Sequence, residues 1–435
     1  MVPRNGRVYA AVSGGRDSMA MLHALRLSAR EVPFSITVLH MDHMLRPQSS
    51  KEATFVQRVC AAWGITCVVE RVDVAKEQRK GEGIEQAARR LRYAFFQRMC
   101  EQTPGVVAVA HHQEDQAETV LMHLLRGTGL RGLQGMQPKR GWLIRPLLYN
   151  SRASIEAYIR ANRIPYCEDK SNADCRYTRN RIRHGLLPYL QAEFNPQIVT
   201  ALVRLAQNVR EDEALLQQWT HQAMKQVHWQ GQDAYWIRMD RQAFCRQPVP
   251  VQKRLLLTAM ERLGLTEMRQ TILADALKTV QTGTHARLTP NCQIWCGAWV
   301  ELCIDAEPFA AMPLAQPGCV RLDGGRIVVS RLQRREGMSL PLDMDTLWLD
   351  EQALSTPILT ARPRHKGDKI HTKAGTKSVS DILTDQKVPH GLRDRLPVVC
   401  SGTQVLWIPG VARSDSALVN GRTNTILQLQ WVADL

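Results

Sequence analysis

A glycine-rich turn near the N-terminus carries the first residues suited to chemistry. The sequence Ser13-Gly14-Gly15-Arg16-Asp17-Ser18 joins the apolar run Val8–Val12 to a segment with helical periodicity. Glycines let the backbone approach an anion, and the free N–H groups of a following helix bind phosphate. The turn lacks the Gly-Lys-Ser/Thr of a Walker A loop and the spacing of a dinucleotide fingerprint. We predict a phosphate-binding loop; the alternative is a plain turn in which Asp17 or Ser18 caps the helix.

Acids and histidines follow two further apolar runs. His40-Met41-Asp42-His43 ends the second run, with Arg46 close behind, and His111-His112-Gln113-Glu114-Asp115 follows Val106–Ala110. Carboxylates at strand ends are suited to Mg²⁺, to a substrate amine or to proton transfer. We predict Asp42 and Asp115 as catalytic residues and Mg²⁺ ligands; helix capping and dipole complementation are the alternatives. The substrate contacts predicted in these segments are His43, Arg46, His112 and Glu118.

Basic residues recur in three further segments. Arg89 and Arg92 share a helical face with Glu85 and Tyr93, where guanidinium groups could bind phosphates and the ring could stack on a base. A glycine-punctuated loop follows Arg126, and Asn180-Arg181-Ile182-Arg183 follows Asp169-Lys170-Ser171-Asn172. Solvated charged faces or a flexible connector are the alternatives. The predicted nucleic-acid contacts are Glu85, Arg89, Arg92, Arg126, Asn180 and Arg183, and Arg181 in the same run is predicted to bind an anion.

These motifs need a scaffold that brings strand ends together. The first ~165 residues alternate short β-branched runs with helical patterns such as Asp17–Leu27 and Ile84–Met99. Such alternation predicts βαβ units and a parallel, doubly wound α/β sheet, whose ligands bind beyond the carboxyl ends of the strands. The chain then becomes helical, and from about Thr289 it shows short alternating runs. We predict three domains: a catalytic domain at 1–200, a helical domain at 201–305, and a mixed α/β C-terminal domain at 318–435.

Composition constrains the partners. The 435 residues carry 57 Lys+Arg against 41 Asp+Glu, a formal charge of +16. Such an excess favours polyanion binding because Lys and Arg neutralise phosphates. No apolar run reaches the ~20 residues of a membrane span, and no signal peptide is recognisable, so we expect a cytoplasmic protein with no membrane partner. The 11 cysteines include no Cys-x-x-Cys pair, which favours reduced thiols over disulfides or zinc.

The loop Ser13–Ser18 resembles that of the PP-loop ATP pyrophosphatases (adenine nucleotide alpha hydrolase-like fold), which cleave ATP between the α and β phosphates. Together with the other segments, the chain resembles the tRNA(Ile)-lysidine synthetases within that superfamily. One departure is Met41 and Met44, where the family pattern has Val and Gly. The segments that carry this resemblance are Ser13–Ser18, His40–Arg46, Glu85–Tyr93, His111–Thr119, Leu124–Leu133, Asn180–Arg183, Arg362–Asp368 and Val388–Pro397.

The resemblance implies a two-step reaction on cytidine 34 of the isoleucine tRNA with a CAU anticodon. ATP, with Mg²⁺, adenylates the C2 oxygen, and L-lysine then displaces AMP. It suggests Asp115 as the base, Asp42 as an amine or metal ligand, and Arg181 as a catalytic residue, with Arg181 or Arg183 offsetting charge on phosphate. The C-terminal basic run with Arg362, Arg364 and Lys377 is expected to contact acceptor-stem phosphates, and Arg393 is a further expected tRNA contact. Oligomeric state stays open, with a homodimer among the assemblies considered.

Two alternatives are a related enzyme and a protein without catalytic activity. A tRNA thiolase of the same superfamily generally needs catalytic cysteines, and this chain lacks the Cys-x-x-Cys pair. A non-catalytic RNA-binding protein would need the basic surface but not acids at three strand ends. Asp17, Asp42 and Asp115 are all present.

Overall fold

The computed structural model describes the chain outside residues 1, 3, 46–48, 168–177, 233–234, 266–269, 308, 323, 336–337, 339–340, 342, 373–374 and 434–435. The predicted contact Arg46 and the segment Asp169–Asn172 lie outside the described residues. The chain forms two compact units, residues 1–215 and 216–435. Within the described part, no helix combines the length and apolar content that a bilayer span requires.

The first unit is built on a six-stranded sheet in the order β3-β2-β1-β4-β6-β5. Its strands are β1 (Arg7–Ala11), β2 (Ser35–Asp42), β3 (Thr66–Arg71), β4 (Val106–Ala108), β5 (Lys139–Arg140) and β6 (Leu143–Ile144). All pairings are parallel except that of β5 with β6. β1 lies at the centre, with Val8 opposite Ile36 of β2 and Val106 of β4. The predicted parallel sheet is confirmed.

Helices cover both faces of this sheet. The helices of this part of the chain are α1 (Arg16–Glu31), α2 (Ser49–Trp63), α3 (Ile84–Gln102), α4 (Gln113–Leu125), α5 (Leu130–Leu133), α6 (Arg152–Asn162), α7 (Thr178–Arg181), a π-helical turn (Ile182–Leu186), α8 (Leu187–Glu193) and α9 (Ile198–Gln226). Met19 and Leu22 of α1, three residues apart, pack with Val56 of α2 in one core. Phe95 and Phe96 of α3 pack with Tyr9 and Leu39 in a separate core. Because neighbouring residues of a strand point to opposite faces, α1 and α3 lie on opposite faces of the sheet.

The first part of the second unit combines helices with an antiparallel sheet in the order β7-β8-β11-β10-β9. Its elements are β7 (Gln230–Gln232), β8 (Trp236–Asp240), α10 (Arg241–Cys245), α11 (Val249–Arg262), α12 (Gln270–Thr282), β9 (His285–Thr289), β10 (Cys292–Cys296) and β11 (Trp299–Ile304). The predicted helices are present. The strands β7 and β8 were not anticipated, because they are three and five residues long and lie between helical patterns.

The last part of the chain holds two sheets, in the orders β12-β16-β19-β20-β17-β18 (with β21 on β20) and β13-β14-β22-β15. The elements are β12 (Met312–Leu314), β13 (Gly318–Leu322), β14 (Gly325–Gln333), β15 (Thr346–Asp350), a 3₁₀ turn (Glu351–Ala353), β16 (Leu359–Arg362), β17 (Lys369–Thr372), β18 (Gly375–Ser378), α13 (Val379–Asp385), α14 (His390–Arg393), β19 (Val398–Ser401), β20 (Gln404–Ile408), β21 (Ala412–Arg413) and β22 (Thr425–Ala433). Trp407 is buried in a core with Leu347 and Leu427. The predicted mixed α/β C-terminal region is confirmed.

Candidate active site

The glycine-rich loop connects β1 to the N-terminus of α1. Gly14 has φ +92°, where a side chain is disfavoured, and its backbone carbonyl accepts a hydrogen bond from the Cys167 N–H at 2.9 Å. The Ser18 hydroxyl donates to the Gly15 carbonyl at 2.9 Å and accepts from the Ser13 N–H at 3.2 Å. Gly15 is the N-cap residue of α1, and no side chain caps the helix there. The first turn of α1 is therefore suited to receive an anion.

Two charged residues of the loop face different neighbours. Arg16 forms an ion pair with Glu156 of α6, with Nη1 and Oε1 2.7 Å apart. The Asp17 side chain is 39% exposed, and its Oδ2 lies 3.7 Å from Nε2 of His112. Burial and the carboxylate of Asp115 raise the pKa of Asp17 above its usual value, although His112 opposes the shift. Asp17 thus connects the loop to the start of α4.

Asp42 ends β2 and is buried, with its carboxylate already bonded locally. Oδ1 accepts from the Met44 N–H at 3.0 Å, and Oδ2 accepts from the Ser50 hydroxyl at 3.4 Å and lies 3.5 Å from Nε of Arg71. Burial alone would raise the pKa of Asp42, but hydrogen bonds from Ser49 and Met44 lower it. Asp42 is therefore ionised and shapes the turn after β2.

His43 turns toward α3. Arg92 Nη2 donates to His43 Nε2 at 3.0 Å, while Nδ1 is buried and has no partner in the described part of the chain. Burial and the Arg92 guanidinium lower the pKa of His43 to about 4. His43 is neutral at pH 7 and accepts a hydrogen bond from an arginine.

α4 starts with a capping arrangement around His112. The His112 N–H donates to Asp115 Oδ2 at 3.1 Å, and its ring Nδ1 bonds Glu114 Oε2 at 2.9 Å. Burial alone would lower the pKa of His112, but the carboxylates of Glu114, Asp115 and Asp17 raise it overall. A single imidazole is thus in contact with acids of both α4 and the glycine-rich loop.

Two acids of α4 bind two arginines from the segment of α7 and the π-helical turn; we call Asp115, Glu118, Arg179 and Arg183 the paired cluster. Arg179 donates to Asp115 Oδ1 at 3.0 Å and to Glu118 Oε2 at 2.7 Å. Arg183 donates to the same Asp115 oxygen at 2.9 Å and to Glu118 Oε1 at 2.5 Å. Burial alone would raise the pKa of Asp115, but His112, Arg179 and His111 lower it. The cluster joins two carboxylates to two guanidinium groups, so its formal charges balance.

The arginines of this segment are not equivalent. Arg179 and Arg183 are four residues apart and share a helical face, whereas Arg181 lies between them and is exposed. Among the described residues, Arg181 has no ion pair. The predicted catalytic Arg181 is therefore not brought to the acids, while Arg179, which the sequence reading did not select, is. The sequence carried a signal for this contact. Asp115 and Glu118 are three residues apart and Arg179 and Arg183 are four apart, so each pair shares one helical face.

A second group of arginines lies near α3; we call Arg89, Arg92 and Arg145 the unpaired cluster. Arg89 lies over the Tyr93 ring at 4.9 Å and donates to its hydroxyl at 3.4 Å. Arg145 follows β6, is 7% exposed, and donates through Nη1 to the Gln137 carbonyl at 2.6 Å. Within the described ranges, none of the three forms an ion pair. Sequence reasoning missed Arg145, because it follows a two-residue strand.

The remaining predicted contacts of this unit lie around the two clusters. Glu85 is exposed in the first turn of α3, and Arg126 is exposed at the C-terminal cap of α4. Asn180 is partly buried in α7. The loop after Arg126 is held by Gln116, whose Oε1 accepts from the Met136 N–H at 2.7 Å. The glycine-rich stretch is therefore anchored on α4.

The four predicted C-terminal contacts have partners within the protein. Arg362 binds Asp368 through two bonds of 2.8 Å, and Arg364 Nε lies 2.6 Å from Asp394 Oδ1. Lys377 pairs with Asp385. Arg393 donates to the Val388 carbonyl at 3.0 Å and to the Thr384 hydroxyl at 3.3 Å. These side chains also support local structure.

The described residues contain no group of three His, Cys, Asp or Glu side chains arranged to hold a metal ion. Mg²⁺, however, is commonly held by one or two carboxylates together with substrate phosphates. Asp17 offers a partly exposed carboxylate in the phosphate-binding loop, whereas the oxygens of Asp42 and Asp115 already accept hydrogen bonds. The site fits a Mg²⁺ that enters with a nucleotide.

Comparison with known proteins adds two family matches. Residues 3–190 match the PP-loop domain family, and residues 359–431 match the TilS substrate C-terminal domain family. A tRNA(Ile)-lysidine synthase from Thermotoga maritima is 32% identical over 419 residues, covering 95% of this chain and 94% of the relative. Its counterpart from Geobacter sulfurreducens is 34% identical over 433 residues, covering 95% and 90%. A solved U34-tRNA thiolase from Methanococcus maripaludis is 16% identical, with a TM-score of 0.42 over 48% of this chain and 74% of that one.

Proposed function

Because the chain belongs to the tRNA(Ile)-lysidine synthase family, we infer that it is an ATP-dependent ligase that forms lysidine at the wobble position of an isoleucine tRNA. The PP-loop match covers the sheet that gathers the phosphate loop, Asp115 and Glu118. The C-terminal family match supports tRNA as the substrate. The paired cluster beside the phosphate loop is the observation that carries this proposal.

In the first step, the C2 oxygen of cytidine 34 attacks the α-phosphorus of ATP, and pyrophosphate leaves. We propose that the residues Ser13–Ser18 hold the pyrophosphate through backbone N–H groups and serine hydroxyls. Arg179 and Arg183 of the paired cluster offset charge that develops on the transferred phosphoryl group. Asp115 and Glu118 orient these guanidinium groups, which keeps the donors in place before the reaction.

In the second step, the ε-amine of L-lysine attacks C2, and AMP leaves with the former C2 oxygen. Lysine loses protons in this step, so a nearby base is required. Asp115 remains our predicted base, although its lowered pKa makes it better suited to bind the ammonium group than to accept a proton at neutral pH. His112 lies 3.4 Å from Asp115 and is the neighbouring group able to relay a proton.

Mg²⁺ bound with ATP would neutralise phosphate charge and so favour departure of pyrophosphate. We propose Asp17 as the protein ligand, alongside the earlier candidates Asp42 and Asp115. The partly exposed carboxylate of Asp17 supports this assignment.

Other expectations remain proposals. Four basic residues of the C-terminal region are proposed to contact the tRNA outside the anticodon, using the donor groups that their partners leave free. They are Arg362, Arg364, Lys377 and Arg393. A cytoplasmic location follows from the proposed tRNA substrate. A homodimer stays among the possible assemblies.

The function is tested by incubating the protein with ATP, Mg²⁺, labelled lysine and unmodified isoleucine tRNA. We expect equal amounts of AMP, pyrophosphate and lysine-labelled tRNA. The control is the same tRNA with uridine at position 34, which should take up no label. ATP cleavage without lysine incorporation would contradict the lysidine assignment while retaining the PP-loop chemistry.

A further inference from the structure

We propose that the unpaired cluster binds a phosphate of the RNA backbone next to the nucleotide that is modified. This proposal rests on the proposed function and adds a binding site to it. Its members are Arg89 and Arg92 of α3 and Arg145 after β6.

The charge of the cluster is uncompensated. The groups in contact with it are the Tyr93 hydroxyl, the Gln137 carbonyl and the His43 imidazole. No carboxylate of the described residues lies within ion-pair distance of the three arginines. Desolvating a guanidinium without a counter-charge is costly, so a buried arginine in this state indicates an anionic ligand.

Buried hydrogen-bonding atoms without partners gather at the same place. They are Nε of Arg145, Nδ1 of His43 and Nδ1 of His111. His43, His111 and Arg145 follow β2, β4 and β6, whose carboxyl ends lie on one edge of the parallel sheet. Buried polar atoms in native proteins nearly always have partners. One such atom of Arg145 and two of neighbouring histidines favour a polar, anionic ligand.

The position of the cluster relative to the phosphate loop indicates that its ligand belongs to the attacking nucleotide. α1, which begins at that loop, and α3, which carries Arg89 and Arg92, lie on opposite faces of the sheet. In phosphoryl transfer the attacking and leaving oxygens are roughly in line. If pyrophosphate occupies the loop at α1, the attacking nucleotide approaches from the opposite side, where α3 lies.

Free lysine is a poorer ligand for this site. Its α-carboxylate stands next to an α-ammonium group, which three uncompensated guanidinium groups would repel. A phosphodiester carries no such cation, and arginine binds phosphate oxygens through two parallel bonds.

The test compares Arg145→Gln and Arg89→Gln with the matched control Arg160→Gln, an exposed arginine of α6. Each protein is assayed with full-length tRNA that carries a neutral methylphosphonate at one of the two phosphates flanking nucleotide 34. For the wild type and the control, we expect one of these substitutions to lower kcat/KM for tRNA about 10- to 100-fold, as for loss of a charged hydrogen bond. Arg145→Gln and Arg89→Gln should lower kcat/KM for normal tRNA by a similar factor. For these two variants, the same methylphosphonate should lower kcat/KM by less than about a further twofold.

Several results would overturn the proposal. If the losses in kcat/KM from the arginine substitution and from the methylphosphonate multiply, the cluster has no phosphate partner. The same follows if neither methylphosphonate affects the wild type. A cluster variant that raises KM for ATP alone would assign the site to the nucleotide. A loss that disappears when 1,5-diaminopentane replaces lysine would assign it to the lysine carboxylate.

Folding and function are controlled separately. Thermal unfolding checks each variant, and if Arg145→Gln does not fold, exposed Arg89 supplies the same comparison. Failure of the proposed function is recognised differently, because the wild type would then form no lysidine on unmodified tRNA.

Discussion

Two groups of arginines lie at the same edge of one sheet and differ in their partners. In the paired cluster, Arg179 and Arg183 bind Asp115 and Glu118, and the charges balance. In the unpaired cluster, Arg89, Arg92 and Arg145 contact a hydroxyl, an imidazole and a carbonyl, and no carboxylate of the described chain lies within ion-pair distance. The first arrangement is complete without a ligand, whereas the second needs one to balance its charge.

The difference indicates two roles for arginines that the net charge of the chain does not distinguish. Arginines fixed by acids act as oriented donors with little net field, which suits stabilisation of a short-lived charge during phosphoryl transfer. Arginines without acids attract a standing negative charge, which suits binding of an RNA backbone. Substitutions in the two clusters should therefore affect different steps.

The largest effect is expected from Asp115→Asn. This change removes the proposed base and the acceptor shared by Arg179 and Arg183, so lysidine formation should fall about 100- to 10,000-fold. Single-turnover formation of lysidine measures it, with Glu101→Gln on the exposed end of α3 as a matched control. Full activity of Asp115→Asn would remove this residue from the mechanism.

A second comparison uses neighbouring arginines of one segment. Arg179→Met should lower kcat about 100-fold, as when one donor to a developing oxyanion is lost. Arg181→Met should stay within about twofold of the wild type, because its exposed side chain does not face the acids. A larger loss for Arg181→Met than for Arg179→Met would restore Arg181 as the catalytic arginine.

Salt dependence distinguishes the clusters at equilibrium. Each phosphate neutralised on single-stranded RNA contributes about 0.7 to the slope of log affinity against log salt. Arg89→Gln should reduce that slope by about 0.7, whereas Arg183→Gln should leave it nearly unchanged. Filter binding of tRNA at several salt concentrations measures both slopes; equal reductions would show that pairing does not separate the two roles.

A paired arginine in the second unit should affect stability more than activity. Arg362→Met leaves the Asp368 carboxylate, 10% exposed, without its bidentate partner, and should destabilise the unit by about 3–5 kcal/mol. Urea unfolding measures this loss, and activity at low temperature should change less than twofold. Retained stability with a large rise in KM for tRNA would instead support Arg362 as an RNA contact.

The same pair predicts a pH dependence. Burial alone would raise the pKa of Asp368, but Arg362 and the His365 N–H lower it. The pair's contribution is therefore present above the unfolded pKa of about 3.9 and is lost as pH falls through the lower folded pKa. The free energy of unfolding, measured at several pH values below 4, should show this loss in the wild type and not in Arg362→Met.

Sequence patterns predicted the scaffold better than the contacts. The parallel sheet and its loop followed from β-branched runs and glycines, because those signals are local. The choice of Arg179 over Arg181 depended on which face of α7 meets α4, a tertiary contact. Arg145 was not recognised as a site residue because it follows a strand of only two residues. The ion pair of Arg362 with Asp368 could not be distinguished, from the sequence, from a basic RNA-binding loop.

The central claim, adenylation of cytidine 34 followed by displacement by lysine, predicts the fate of one oxygen atom. Isoleucine tRNA with ¹⁸O at C2 of cytidine 34 is converted with ATP and lysine, and the AMP is analysed by mass spectrometry. We expect one ¹⁸O in each AMP and none in the lysidine base. AMP without the label, formed together with lysidine, would contradict the mechanism.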